Sequence, residues 1–154
     1  SDAFIAGFDR PNIRYAIMEK DNPRAQVKRF LRDHQDQSGI IYCLSKRKTE
    51  ETAEWLRSEG YDALSYHAGM EREQREKNQT RFQHGEAIIM VATIAFGMGI
   101  DKPNIRYILH YQAPGSLEQY VQEIGRAGRD DRVVRRAAVR GVAVGHRQAG
   151  RRRA

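Results

Sequence analysis

A parallel β-sheet flanked by helices, the α/β class, is the architecture the sequence predicts, and three observations predict it. Short apolar runs recur from about Ser38 onward: GIIYCL (39–44), DALSYH (62–67), AIIMVA (87–92) and IRYILHY (105–111). Stretches of helical spacing or turn residues alternate with them, the signature of βα units around a parallel sheet. The chain has 154 residues, enough to bury a core in one domain without disulfides or a structural metal.

Taken in order, FDRPNIRYAIM (8–18) reads as a connecting segment that leads into an edge strand, with Pro11 and Asn12 disfavouring helix. Asn22 and Pro23 start a helix whose Val27, Phe30 and Leu31 form a short apolar face. After the run at 39–44, Thr49, Thr52, Ala53 and Leu56 repeat at helical spacing, and Gly60 stands where a C-terminal cap belongs. Met70 to His84 is a second helix after that strand pair begins. It is nearly all polar, with Glu71–Arg75 and Glu73–Lys77 at i, i+4 and Gly85 as its stop, so it must lie on the surface. Farther on, Leu117, Tyr120, Val121 and Ile124 make an apolar stripe, and Ser116 with Gln119 has capping-box spacing. The expected division is a lead-in segment and edge strand over 1–20, a body over 21–130 and an arginine-rich tail over 131–154.

The formal charge of +7 would ordinarily point to nucleic acid, but eight arginines against a single aspartate in residues 131–154 account for all of it. The body is charge-balanced, so any case for nucleic acid must rest on local residues. A single cysteine, Cys43, excludes an internal disulfide and a four-cysteine zinc site, and its apolar surroundings predict a buried structural thiol. No apolar run approaches the length of about 18 residues that a membrane span needs, and no signal peptide is visible. The expected protein is soluble and intracellular.

Four places carry chemistry. ATIAFGMGIDKPN (92–104) follows a strong strand and holds Gly97 and Gly99 around Met98, then Asp101. Glycines there let backbone approach a ligand, and ligands of open α/β sheets sit outside the carboxyl ends of the strands; a plain loop needing positive φ explains them as well. His67 in SYHAG could bond a phosphate or a base, or satisfy a loop carbonyl. Ser45, before Lys46, Arg47 and Lys48, could contact a ligand or cap the following helix. Taken singly, each of these is explained by structure alone. Arg126 and Arg129 differ, because they end an apolar-faced helix with Gln122 one turn back. A guanidinium fits phosphate in a fork that lysine cannot reproduce, and in phosphoryl transfer it stabilises charge on the transferring group.

In order and spacing, IIYCLSKRKTEETAEWL, SYHAGM, ATIAFGMGIDKP and QEIGRAGRD resemble the motifs of the second RecA-like lobe of superfamily 2 helicases, and among these the RecQ family of DNA helicases. The resemblance covers roughly Phe8 to Asp130. Its most specific pieces are AFGMGIDKP and QEIGRAGRD, whose opening glutamine separates it from DEAD-box RNA helicases, which usually place histidine there.

The resemblance implies a RecA-like sheet and an enzyme that couples ATP hydrolysis to 3′ to 5′ movement on DNA in repair and recombination. ATP and Mg²⁺ would be bound mainly by a first lobe, since the phosphate-binding GxxxxGK loop and a DEAD-like tetrad do not occur here; alone, this chain is expected to be inactive. By the same resemblance Arg129 is the arginine finger, Arg126 and Gln122 couple nucleotide to the cleft, and Gly99 and Asp101 lie near ribose and phosphates. Ser45, His67 and Thr93 would touch the DNA backbone, and no metal ligand set is expected. The implied partners are single-stranded DNA, DNA junctions and the first lobe, with no membrane; the implied location is the cytoplasm, at the nucleoid in a bacterium. A non-catalytic nucleic-acid-binding or lobe-docking module is the alternative.

After GRD the family continues Gly-Leu-Pro, whereas here Asp131-Arg132-Val133 opens the tail. Divergence, a nucleic-acid-binding extension and translation in a shifted frame all fit. Arginine, alanine, glycine and valine without lysine favour the third.

Overall fold

The computed structural model of the chain describes residues 13–18, 21–97, 100, 102 and 104–111. Five strands, β1 (Arg14–Met18), β2 (Gly39–Cys43), β3 (Asp62–Tyr66), β4 (Ile88–Thr93) and β5 (Tyr107–Tyr111), alternate with α1 (Pro23–Arg32), α2 (Lys46–Ser58), α3 (Arg72–His84) and the single turn α4 (Ile94–Gly97). The sheet runs β1-β5-β2-β4-β3, and every neighbouring pair is parallel. The expected edge strand β1 does lie at an edge, paired with β5 from Arg14↔Tyr107 to Met18↔Tyr111.

Strands in such a sheet are covered on both faces, which is why β2 and β5 are buried at every position. Successive side chains point to opposite faces, and β2 shows the result. Ile41 and Cys43 join Val27 and Leu31 of α1 and Ala53 and Leu56 of α2 on one face. Ile40 and Tyr42 join Phe82 of α3 and Ile94 of α4 on the other. Gly39 opens β2 because the ring of Tyr107 occupies the space its side chain would need.

The element ends follow local chemistry. Pro23 stands at the start of α1, entered through Asn22 in a left-handed conformation (φ 56°) that asparagine tolerates. Past the C-cap Glu59 of α2, Gly60 (φ +95°) lets its own N–H bond Arg57 O at 3.0 Å and the Tyr61 N–H bond Leu56 O at 3.0 Å, closing a Schellman motif. α3 begins at Arg72 rather than Met70, because Met70 closes a turn by donating its N–H to His67 O at 3.3 Å. β4 begins at Ile88 because Ala87 is left-handed (φ 56°) and turns the chain.

The exposed edge of β3 is blunted against strand addition: Arg57 Nη1 donates to Ala63 O at 3.0 Å and Asn78 Nδ2 to Ser65 O at 2.8 Å. Arg81 Nη2 bonds both carboxylate oxygens of Asp62 at 2.9 Å beside them. α3 is the surface helix its composition predicts, with only Asn78 and Phe82 buried along it. The i, i+4 pairs expected on it do not form among the described residues; Arg72 and Glu76 pair at 3.5 Å, and Arg75 turns elsewhere.

Candidate nucleic-acid interface

Because all five strands are parallel, their carboxyl ends share one edge. β2 leads to α2 on one face and its neighbour β4 leads to α4 on the other, so the chain leaves the sheet in opposite directions there, the topological switch point at which open α/β sheets bind ligands. Cys43 and Thr93 face each other in register at that point. Ser45, Thr93 and His67 follow or end β2, β4 and β3, three adjacent strands. At about 4.8 Å per strand the three form a row about 10 Å long.

Ser45 is exposed and caps α2: its Oγ accepts the Lys48 N–H at 3.0 Å, and its carbonyl accepts the Thr49 hydroxyl at 2.8 Å. The cap uses a lone pair and leaves the hydroxyl hydrogen able to donate. Lys46 and Arg47 are exposed beside it; Lys48 lies over the Tyr111 ring at 5.3 Å and within 3.8 Å of Glu51. Burial raises the Tyr111 pKa, an effect Arg24 opposes through a hydrogen bond.

His67 is buried and fully engaged. Its Nδ1 accepts the Gly69 N–H at 3.0 Å, so Nε2 carries the proton and donates to Glu50 Oε2 at 2.6 Å. A contact from this ring to a phosphate would require one of those bonds to open. The other Glu50 oxygen accepts the Ser65 hydroxyl at 3.1 Å. Glu50 thereby ties α2 to β3 and sets the turn that follows. A side chain at Gly69 would press on the His67 ring and on Lys46, both 3.2 Å away, so this turn sits against the start of α2. A groove of about 910 Å³ runs from it along the free edge of β3, lined among others by Glu50, Arg57, Asn78 and Arg81.

Thr93 is half-buried at the end of β4. The next turn is anchored by Phe96, whose ring lies 5.2 Å from that of Tyr66 and under the Arg75 guanidinium at 4.7 Å. Lys102, six residues on in sequence, is buried at the opposite edge of the sheet. Its Nζ donates to Gln83 O at 3.1 Å and Gly85 O at 3.0 Å, over the Phe82 ring at 5.4 Å. A lysine there satisfies the last carbonyls of α3. Burial lowers its pKa, and Glu86 partly restores it. Phe96 and Lys102, from one motif, thus stand at the carboxyl and amino edges of the sheet.

Cys43 is the buried thiol its surroundings predict; burial pushes its pKa up to about 12. Gly99, Asp101, Gln122, Arg126 and Arg129, the helix expected at 115–124 and the tail lie outside the described residues. Glu50, Arg75, Phe96 and Lys102 are absent from the candidates read in the sequence. Glu50 and Arg75 stand among many charged residues on polar helices, and nothing in their spacing marks them. Phe96 and Lys102 lie inside AFGMGIDKP, but their partners are far away in the chain.

Residues 22–131 match the family described as the helicase conserved C-terminal domain. Among curated relatives, the chain is 53% identical over 128 residues to the ATP-dependent DNA helicase RecQ of Pasteurella multocida, covering 83% of this chain and 20% of that protein. The RecQ helicase of Haemophilus influenzae is also 53% identical over 128 residues, 83% of this chain and 21% of that protein. The chain therefore spans about a fifth of the length of the relatives it matches. Among solved structures, the RNA helicase Prp28 of Chaetomium thermophilum bound to ADP superposes with a TM-score of 0.57 at 29% identity, over 77% of this chain and 30% of that one. With its parallel sheet and these matches, the chain belongs to the helicase conserved C-terminal domain family, as a RecQ-type lobe.

Proposed function

We propose that this chain is the second motor lobe of an ATP-dependent DNA helicase that moves 3′ to 5′ along single-stranded DNA and unwinds duplexes and junctions in repair and recombination inside the cell. The observation that carries this reading is the row at the carboxyl edge: the Ser45 hydroxyl, Thr93 at the β2/β4 switch point and the turn held by His67, beside Lys46 and Arg47. Neutral hydroxyls and backbone amides hold phosphates without reading sequence, as a motor that travels along DNA requires. The 53% identity to proteins named DNA helicases supports DNA over RNA.

The nucleotide side rests on QEIGRAGRD. Two guanidiniums spaced by small residues suit the charge of a triphosphate, with Arg129 reaching the γ-phosphate and Arg126 and Gln122 linking it to the cleft. Asp101 and Gly99 would line the ribose and phosphates. Among the described residues no group of three or more His, Cys, Asp or Glu is placed to hold a metal ion, and we assign Mg²⁺ with most of the nucleotide contacts to the first lobe. ATP, when bound, supplies the phosphoanhydride bond whose cleavage powers movement. Arg129 gains its partner only when the lobes close, so nucleotide state sets the closure and the row of Ser45, Thr93 and the His67 turn alternately tightens and releases the strand.

The test joins this lobe to a first lobe, by fusion or in trans. Hydrolysis of ATP should be stimulated by single-stranded DNA more than by RNA, and Arg129→Ala should lower it by about 10³-fold or more. Equal stimulation by RNA rejects the DNA assignment. Docking of the lobes without stimulated hydrolysis rejects the motor and leaves a binding module.

A further inference from the structure

Arg75 sits in the first turn of α3, one turn after Glu71. Sequence spacing assigns it to a surface ion pair, yet the side chain bends back onto the carboxyl edge. Its guanidinium, half-buried, lies over the Phe96 ring at 4.7 Å, and Nη1 donates to Met70 O at 2.7 Å. Met70 ends the turn that His67 closes, through the Gly69 N–H on Nδ1 and the Met70 N–H on the His67 carbonyl. Phe96 belongs to α4, which begins immediately after Thr93. Tyr66, the last residue of β3, completes the contact at 5.2 Å from the Phe96 ring.

We propose that Arg75 is a positioning residue that clamps the turn after β3 to the helical turn after β4, and so fixes the distance between the two loops that grip the DNA backbone. The inference rests on the motor reading above. A guanidinium suits the task because it is planar: one face covers an aromatic ring while an in-plane N–H reaches a carbonyl. The ammonium of lysine can lie over a ring and reach a carbonyl, as Lys102 does, but it has no planar face to lay flat against the ring, so its hold is weaker. Among the described residues the Tyr66–Phe96 ring contact joins α4 to the end of β3, and Arg75 alone carries the connection past Tyr66 into the turn at Met70. A grip on successive phosphates depends on their spacing, and coupled loops bind a strand with less ordering than independent ones.

The test uses the complete helicase carrying this lobe, comparing wild type, Arg75→Ala, Arg75→Lys and Phe96→Leu, with Arg72→Ala as a control on the same turn of α3. Amide exchange should accelerate at 67–70 and at 94–97 together in Arg75→Ala and Phe96→Leu, and less in Arg75→Lys, while β4 stays unchanged. The DNA concentration that half-maximally stimulates ATP hydrolysis should rise about tenfold in Arg75→Ala, with the rate at saturating DNA within about twofold of wild type. Faster exchange at one loop alone or at neither overturns the clamp. So does Arg75→Lys behaving as wild type, or unchanged DNA dependence when both loops loosen. If Arg75→Ala does not fold, Phe96→Leu, which removes the ring face, decides. If the wild type ignores DNA while exchange responds as expected, the motor reading fails and the clamp stands as a structural contact only.

Discussion

Cys43 shows how a residue's chemistry is set by where the sheet puts it. The thiol is fully buried, with Thr52 as its weak hydrogen-bond partner at 3.7 Å. Burial raises its pKa from 9.0 to about 12. Between those values the folded chain keeps a proton that the unfolded chain releases, so the thiol's contribution is complete below about pH 9 and is lost as the pH rises towards 12. Wild type should lose of order 1 kcal/mol per pH unit more than Cys43→Ala across this window, read from urea unfolding midpoints; parallel curves would contradict it. Buried Tyr107 and Tyr111 shift in the same direction, which is why the comparison is made against the alanine variant. The buried thiol was legible because it stands in the apolar run GIIYCL. The Tyr107 hydroxyl was not: it is buried with no hydrogen-bond partner among the described residues, a result of packing against Phe30, His34 and Gly39 that no local pattern records.

At the scale of elements, helix ends and the loops between them carry most of the lobe's distinctive features. α2 is capped by its own neighbours, Ser45 before it and Gly60 after it, and both caps could be read directly from the sequence. α3 has no side-chain cap at its start, and at its end it depends on Lys102, 17 and 19 residues away from the two carbonyls it bonds. Lys102→Met keeps the apolar stem over Phe82 but leaves Gln83 O and Gly85 O without their donor. It should cost about 1–3 kcal/mol, measured by urea unfolding, with exchange rising first at the last turn of α3. A variant as stable as wild type would show that the cap contributes nothing. The expected Glu71–Arg75 pair gives way to contacts that, like those of Lys102, local spacing does not show. A surface ion pair is worth only a few tenths of a kcal/mol, so any tertiary partner, here Phe96 and the Met70 carbonyl for Arg75, displaces it.

For the whole molecule, charge and topology give separate predictions. The excess of +7 resides in residues 131–154, whereas the proposed grip on DNA resides at the carboxyl edge of the sheet. Truncation after Asp130 should therefore reduce the salt dependence of single-strand binding by about 0.7 in log–log slope for each tail arginine that meets a phosphate, read by fluorescence anisotropy over a salt series. Identical slopes for both chains would show that the tail arginines do not meet DNA. The sequence by itself determined the α/β class, the order and approximate limits of the strands, the position of β1 at an edge and the family, because strand runs, caps and motifs are written in neighbouring residues. Tertiary structure alone decided that Ser45, Thr93 and the His67 turn line one edge, that Glu50 occupies both a serine and a histidine, and that Arg75 and Lys102 anchor loops distant in the chain. Those contacts join residues brought together by the strand order β1-β5-β2-β4-β3, and hydrogen bonds and ring contacts depend on distance in space, which sequence separation does not encode.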